Sequence, residues 1–188
     1  MNIQFNTLSI CALLTIMSTP LWAAEGHQHR HHDSHQHGVA EMNVAIDGNQ
    51  LIIELKSPAA NIVGFEHAPQ DQAERKQVKQ AMEQLKMADK IFQPSAAAKC
   101  IPDAAEVESE LAQHDHGHQH RESIDKNSHA EFNASYTFSC QHIKQLTQMQ
   151  VNLFSLFSGM EKIKTQIISP NLQELKHLSP SHNSINFK

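Results

Sequence analysis

The sequence is short of positive charge. Fifteen Lys and Arg stand against twenty Asp and Glu, a formal net charge of −5 with histidines neutral. That balance removes the electrostatic case for nucleic acid or an anionic membrane surface as partner. Long apolar runs are missing too. Leu8 to Met17 (LSICALLTIM) is a ten-residue apolar stretch, about half of the roughly 20 residues that a membrane-spanning helix needs. The common catalytic signatures do not occur: there is no HExxH, no GxSxG and no Gly-rich phosphate loop. Their absence argues against a zinc peptidase, a serine hydrolase or a nucleotide-binding enzyme. Cysteine is scarce, with three residues and no CxxC spacing, so a thiolate zinc knuckle is not indicated.

Histidine is abundant instead, at fifteen residues, and it is clustered. His27, His29, His31, His32, His35 and His37 lie close together with Asp33 among them, and His114, His116, His118 and His120 alternate beside Asp115. In an extended segment residues two apart point the same way, so each His-x-His pair can present two imidazoles to one ion. Neutral imidazole suits Zn, Cu and Ni and is a poor ligand for Mg or Ca. The clusters therefore point to a transition-metal ion, with zinc, copper and nickel all open on the residues alone. A purification tag, a solvated low-complexity linker or a pH sensor would also give histidine runs. A tag, however, would not follow an export signal with irregular spacing and then recur inside the chain.

The first residues describe such a signal. A short apolar core, the helix breaker Pro20 and the small residues Ala23 and Ala24 fit a cleaved secretory peptide, although residues 1–7 hold no Lys or Arg. Cys11 sits early in the apolar run behind the bulky Ile10, which argues against lipidation. Cleavage after Ala23 is favoured. Cleavage after Ala24 would instead leave Glu25-Gly26-His27 as an amino-terminal Cu(II) or Ni(II) chelate, but it would place Trp22 where a smaller residue is preferred. The expected organisation is a signal over 1–23, a flexible leader over 24–37, and a single domain over 38–188 with a histidine-rich insert at 113–128. Export leaves Cys100 and Cys140 to pair in an oxidising compartment.

Within the domain, Ala40, Met42, Val44 and Ile46 alternate with polar or small residues. A turn follows at Asp47-Gly48-Asn49, and Leu51, Ile53 and Leu55 resume the alternation, which predicts a β-hairpin. Val78, Ala81, Met82, Leu85 and Phe92 recur at helical spacing, predicting one helix from Pro69 to about Phe92. Residues 95–111 read as a connection. His129 to Cys140 alternates cleanly, Thr147 to Leu153 and Ile163 to Ile168 read as further strands, and Phe154 to Phe157 as a short helix or loop. The expected class is α+β, an antiparallel sheet with at least one long covering helix.

Gly64-Phe65-Glu66-His67-Ala68-Pro69 places a carboxylate beside an imidazole at a helix start. His35 and His37 enter the first strand, and His129 with Glu131 lies on the polar face of a later one. The expected ordered site therefore draws on His35, His37 and His67, with Glu66 or His129 as a fourth ligand or supporting partner. The alternative is that Glu66 and His67 only cap the turn.

The signal, His35-Gln36-His37-Gly38-Val39-Ala40, the Asp47-Gly48 hairpin, Ser57-Pro58-Ala59, the Gly64 to Pro69 segment, the His/Asp insert, Leu153-Phe154 and Lys162-Ile163 together resemble the ZrgA-like zinc-regulated periplasmic zinc-binding proteins. Ser158-Gly159 departs from the proline expected there. The resemblance implies zinc binding in the periplasm and a part in zinc acquisition, with delivery to a zinc-uptake binding protein or transporter. It implies neither an enzyme nor a membrane-spanning chain. A zinc-dependent hydrolase built on Glu66 and His67, or a metal sensor acting on a membrane partner, are the competing functions.

Overall fold

The strand alternation that begins at Val39 is realised in full. A computed structural model describes residues 36–115 and 129–187. Strands β1 (Val39–Asp47) and β2 (Gln50–Pro58) form the expected antiparallel hairpin, closed by a two-residue loop in which Gly48 takes a φ of 57°. Such a positive φ is open to glycine without steric cost. The chain continues through α1 (Ala59–Val63), α2 (Gln72–Leu85) and α3 (Ala88–Ile91) into β3 (Phe92–Pro94), β4 (Cys100–Ser109) and, beyond the insert, β5 (Glu131–Cys140). Then come β6 (Gln148–Val151), α4 (Leu153–Leu156), β7 (Lys162–Ser169), β8 (Leu172–Leu178) and β9 (Ser184–Asn186).

Six strands make one sheet in the order β4-β5-β2-β1-β7-β8, and three make a second in the order β3-β6-β9. The expected helix-covered antiparallel sheet is therefore corrected in two ways. The domain is mostly strand, in two sheets, and β1 runs parallel to β7. Among the described residues α2 is the only α-helix of more than five residues. It starts later than Pro69 because Asp71 caps it, the Asp71 carboxylate accepting the Glu74 N–H at 2.8 Å. It ends at Leu85, well short of Phe92. Leu85 and Phe92 are seven residues apart, which fits two helical turns but equally fits a helix end followed by a strand, and the chain takes the second course. The segment expected to be a connection holds β4, a largely exposed edge strand bulged between Pro102 and Ala104. Proline and acidic residues gave it no strand signal.

The inward rows make one core. Ala40, Met42 and Val44 of β1, Leu51, Ile53 and Leu55 of β2, Phe132, Tyr136 and Phe138 of β5, and Ile163 and Ile167 of β7 are all buried. They share a hydrophobic cluster with Val78, Ala81 and Leu85 of α2 and with Phe92, Met149, Val151 and Ile185 of the small sheet. Tyr136 packs edge-to-face on Phe92, and its hydroxyl donates to the Leu85 carbonyl at 2.9 Å. That bond satisfies a carbonyl that the end of a helix would otherwise leave open. Burial pushes the Tyr136 phenol well above its ordinary pKa. A disulfide joins Cys100 to Cys140 as directly opposed residues of β4 and β5. The expected signal peptide, the leader up to His35 and residues 116–128 of the expected insert lie outside the described residues.

Candidate metal centre

Three chain segments meet at the entrance to β1. The first is the leader's end. Gly38 takes a φ of 81° and its carbonyl accepts the N–H groups of Glu161 and Lys162 at 2.8 and 2.9 Å, which fixes the backbone next to His37. The second is the turn after α1. Gly64 caps that helix in the left-handed conformation, and the Gln77 amide donates to the Val63 carbonyl at 2.7 Å. The chain leaves this reversal as Phe65-Glu66-His67. The third is the entry to β5, where the Ala130 carbonyl accepts the Ala59 N–H at 2.8 Å and so ties His129 to the start of α1.

Glu66 sits where they converge. Its side chain is 12% exposed, while those of His37 and His129 are 68% and 61% exposed. One oxygen, Oε2, is hydrogen-bonded to His129 Nδ1. The other, Oε1, is buried without a hydrogen bond, and His37 Nε2 lies 3.2 Å from it. A buried carboxylate oxygen lacking a donor is costly unless a cation or donor reaches it. Beyond the cluster, Glu131 pairs with Lys56 at 3.2 Å, and its N–H donates to Glu110 at 3.0 Å.

The structure thus brings together His37, Glu66 and His129 of the expected set. His67 takes other partners. It stacks on Phe65 with ring centroids 4.9 Å apart, and its Nδ1 lies 3.1 Å from the Ala68 carbonyl and 3.9 Å from Glu74. Glu74 is itself committed to the helix start, accepting the Gln70 N–H at 2.7 Å. His27, His29, His31, His32, His35, His116, His118 and His120 fall outside the described residues, and His114 lies in the short 3-10 turn Glu110–Asp115. His142, His177 and His182, expected at the surface, are exposed. Among the described residues no group of three or more His, Cys, Asp or Glu stands in a geometry that could hold a metal ion, and no helix is long and apolar enough to cross a membrane.

One residue behind the cluster was missed in the sequence. Asn61 is 2% exposed. Its carbonyl oxygen accepts the Gly38 N–H at 2.6 Å, and its amide donates to the Val39 carbonyl at 3.0 Å and to Ser57 Oγ at 3.2 Å. It clamps the strand entry beside His37 to α1. Gly159 packs on the backbone of this turn, where a Cβ would stand 2.9 Å from the Asn61 main-chain oxygen. The signal was present: a single amide in the otherwise apolar run Ala59 to Val63 either breaks the run or satisfies buried backbone.

The family model described as "ZrgA family zinc uptake protein" matches residues 34–187. The chain belongs to that family. The match takes in His37, Glu66, His129 and the insert, and it leaves out His27, His29, His31 and His32. No curated protein matches the chain. Family membership gives the protein a role in zinc uptake, with zinc as cargo, and together with the disulfide it indicates a protein working outside the cytoplasm.

Proposed function

We propose that the protein is a non-catalytic zinc carrier of the periplasm, exported through a cleaved signal peptide. It captures zinc at the edge between His37 and Glu66, beside His129 and completed by a leader histidine, and the two histidine-rich segments add capacity. The observation that carries this reading is Glu66, a nearly buried carboxylate that turns one oxygen to each of two exposed imidazoles. Zinc bonds to nitrogen and oxygen at about 2.0 Å, so neighbouring ligands of a tetrahedral ion stand about 3.3 Å apart. The separation between His37 Nε2 and Glu66 Oε1 is 3.2 Å, which suits an ion on that edge. His129 then serves as a further ligand or holds the carboxylate in place through its hydrogen bond. The imidazoles lie on the solvent side and the carboxylate behind them, so zinc can enter and leave without the fold opening. That suits cargo better than a structural ion. A leader histidine such as His35, two residues before His37, would complete the coordination. The loaded protein passes zinc to an uptake system at the inner membrane.

The test is a competition titration of the mature protein with zinc, copper and nickel. It is repeated on the His37→Ala/His129→Ala double variant and on a deletion of residues 113–128. The double variant is expected to lose one tightly held zinc per chain and keep the weaker ones. The deletion should lower the total count and keep the tight site. Identical isotherms for wild type and double variant would remove the seat from the function.

A further inference from the structure

The two edges of the six-stranded sheet are built differently. An exposed edge strand offers a row of free backbone donors and acceptors to any other strand, and proteins blunt such edges with proline, bulges and charged side chains. Strand β4 has all three: Pro102, a bulge beside it, and Asp103, Glu106 and Glu108. Strand β8, the other edge, has neither proline nor bulge; it pairs with β7 in unbroken register over all seven of its residues.

At the middle of β8 stands Leu175, 71% exposed. It lies opposite Gln166, and one step along the same outer face of β7 is Ile168, 50% exposed. The strand reads Leu172-Gln173-Glu174-Leu175-Lys176-His177-Leu178, and it is complementary to itself about Leu175. Antiparallel pairing with an identical strand, centred there, sets Leu175 opposite Leu175 of the second copy. The same register puts Glu174 opposite Lys176, Gln173 opposite His177 and Leu172 opposite Leu178. The Glu174–Lys176 pair occurs twice by symmetry. Neither Glu174 nor Lys176 has an ion pair among the described residues.

We propose that β8 is a self-association edge: two copies of this chain pair through it, antiparallel about a two-fold axis at Leu175, and join their sheets into one. The interface is isologous, as closed dimers require. Directly opposed unlike charges and apolar pairs stabilise an antiparallel ladder, and like charges destabilise it. A shift of register by two residues would set Glu174 against Glu174, or Lys176 against Lys176, so the charges select the Leu175-centred register.

Sedimentation velocity of the mature protein, run with a chelator present, tests this. The wild type is expected to be a dimer in reversible exchange with monomer. Glu174→Lys or Lys176→Glu alone sets like charges opposite each other at both symmetric positions and should weaken association by about tenfold or more. The double reversal Glu174→Lys/Lys176→Glu restores complementarity and should recover the dimer, a rescue that a merely structural defect would not show. Leu175→Asp should leave only monomer with an unchanged circular dichroism spectrum. A wild type that is monomeric at every concentration overturns the proposal. So does a double reversal that fails to recover the dimer, or a dimer that forms only with zinc and is dispersed by the chelator, since the last reports bridging through histidines.

Discussion

Replacing Glu66 by Gln separates a ligand from a turn residue, because it keeps the shape and removes the charge. In the metal-free protein the change should be mild. Glutamine can still accept a hydrogen bond from His129 through its amide oxygen, and the replacement relieves a buried carboxylate oxygen that has no donor. Stability should therefore stay within about 1 kcal/mol of wild type. Zinc binding should respond strongly, since the substitution removes the only negative charge shown in contact with the two imidazoles. Loss of a group that binds or supports a zinc ion costs on the order of 10–100-fold in affinity, which is about 1.4–2.7 kcal/mol. Zinc stabilises the fold by an amount that follows its affinity, so part of the zinc-induced rise in Tm should disappear. At roughly 2–4 °C per kcal/mol for a domain of this size, the loss is about 3–11 °C. The assay is paired: chelator competition for affinity, and thermal unfolding with and without zinc. If the variant melts lower without metal yet keeps the full zinc-induced rise and the wild-type affinity, Glu66 is a turn residue and the seat does not exist.

Three further outcomes follow from particular contacts. Asn61→Ala leaves the buried Gly38 N–H and Val39 carbonyl without their side-chain partner; it should cost about 1–3 kcal/mol in urea unfolding and also weaken the tight zinc, whereas stability loss with unchanged affinity would make the clamp purely structural. Cys100→Ser/Cys140→Ser opens a link with a sequence separation of 40, for which the chain-entropy model gives about 4 kcal/mol; hydrogen exchange should show protection lost first in residues 100–109, and uniform loss across the sheet would contradict the role of the bond in holding the edge. Tyr136→Phe removes the donor to the Leu85 carbonyl and should cost about 1–3 kcal/mol with zinc binding unaltered, as read by chemical denaturation beside a zinc titration.

The parts of the fold legible in the sequence were those with one wet and one dry face. Strands β1, β2 and β5 alternate because Met42, Ile53 and Tyr136 face the core while Asn43, Glu54 and Ser135 face solvent. Strands β4 and β8 are edges whose side chains are mostly exposed on both faces, so no alternation marks them and only pairing makes them strands. The helix was overextended for a related reason. Ala88, Ile91 and Phe92 are apolar because they are the buried positions of α3 and β3, and three apolar residues in so short a stretch carry no period that separates helix from strand. Fold class then failed as a sum of these local ambiguities: a helix drawn too long and an edge strand read as loop shift a two-sheet domain toward α+β.

The candidate site was legible to a different depth, and the difference bears on how it works. Glu66 with His67 drew attention as neighbours in sequence, yet neighbours on a turn point apart, and the fold uses that. Glu66 turns toward His37 and His129, while His67 stacks on Phe65 and faces Glu74 at the helix start. Side-chain direction at a turn depends on how its backbone is held, and here the holding groups are Gly64 and the Gln77 amide on the Val63 carbonyl, neither of which carries metal chemistry. The imidazoles, by contrast, are more than half exposed, each beside one anchored residue, Gly38 or Ala130. A nearly buried carboxylate set against exposed imidazoles would divide the work of a carrier. The fixed charge gives an ion a place to arrive, and the imidazoles can exchange one at a time with those of the histidine-rich segments. Zinc would then leave by stepwise ligand replacement rather than by one costly dissociation. This predicts that deleting the leader's histidines slows zinc release to a competing chelator more than it weakens equilibrium affinity. Stopped-flow transfer from wild-type and leader-deleted protein would check it, and equal transfer rates with a much weaker affinity would show instead that the leader supplies permanent ligands.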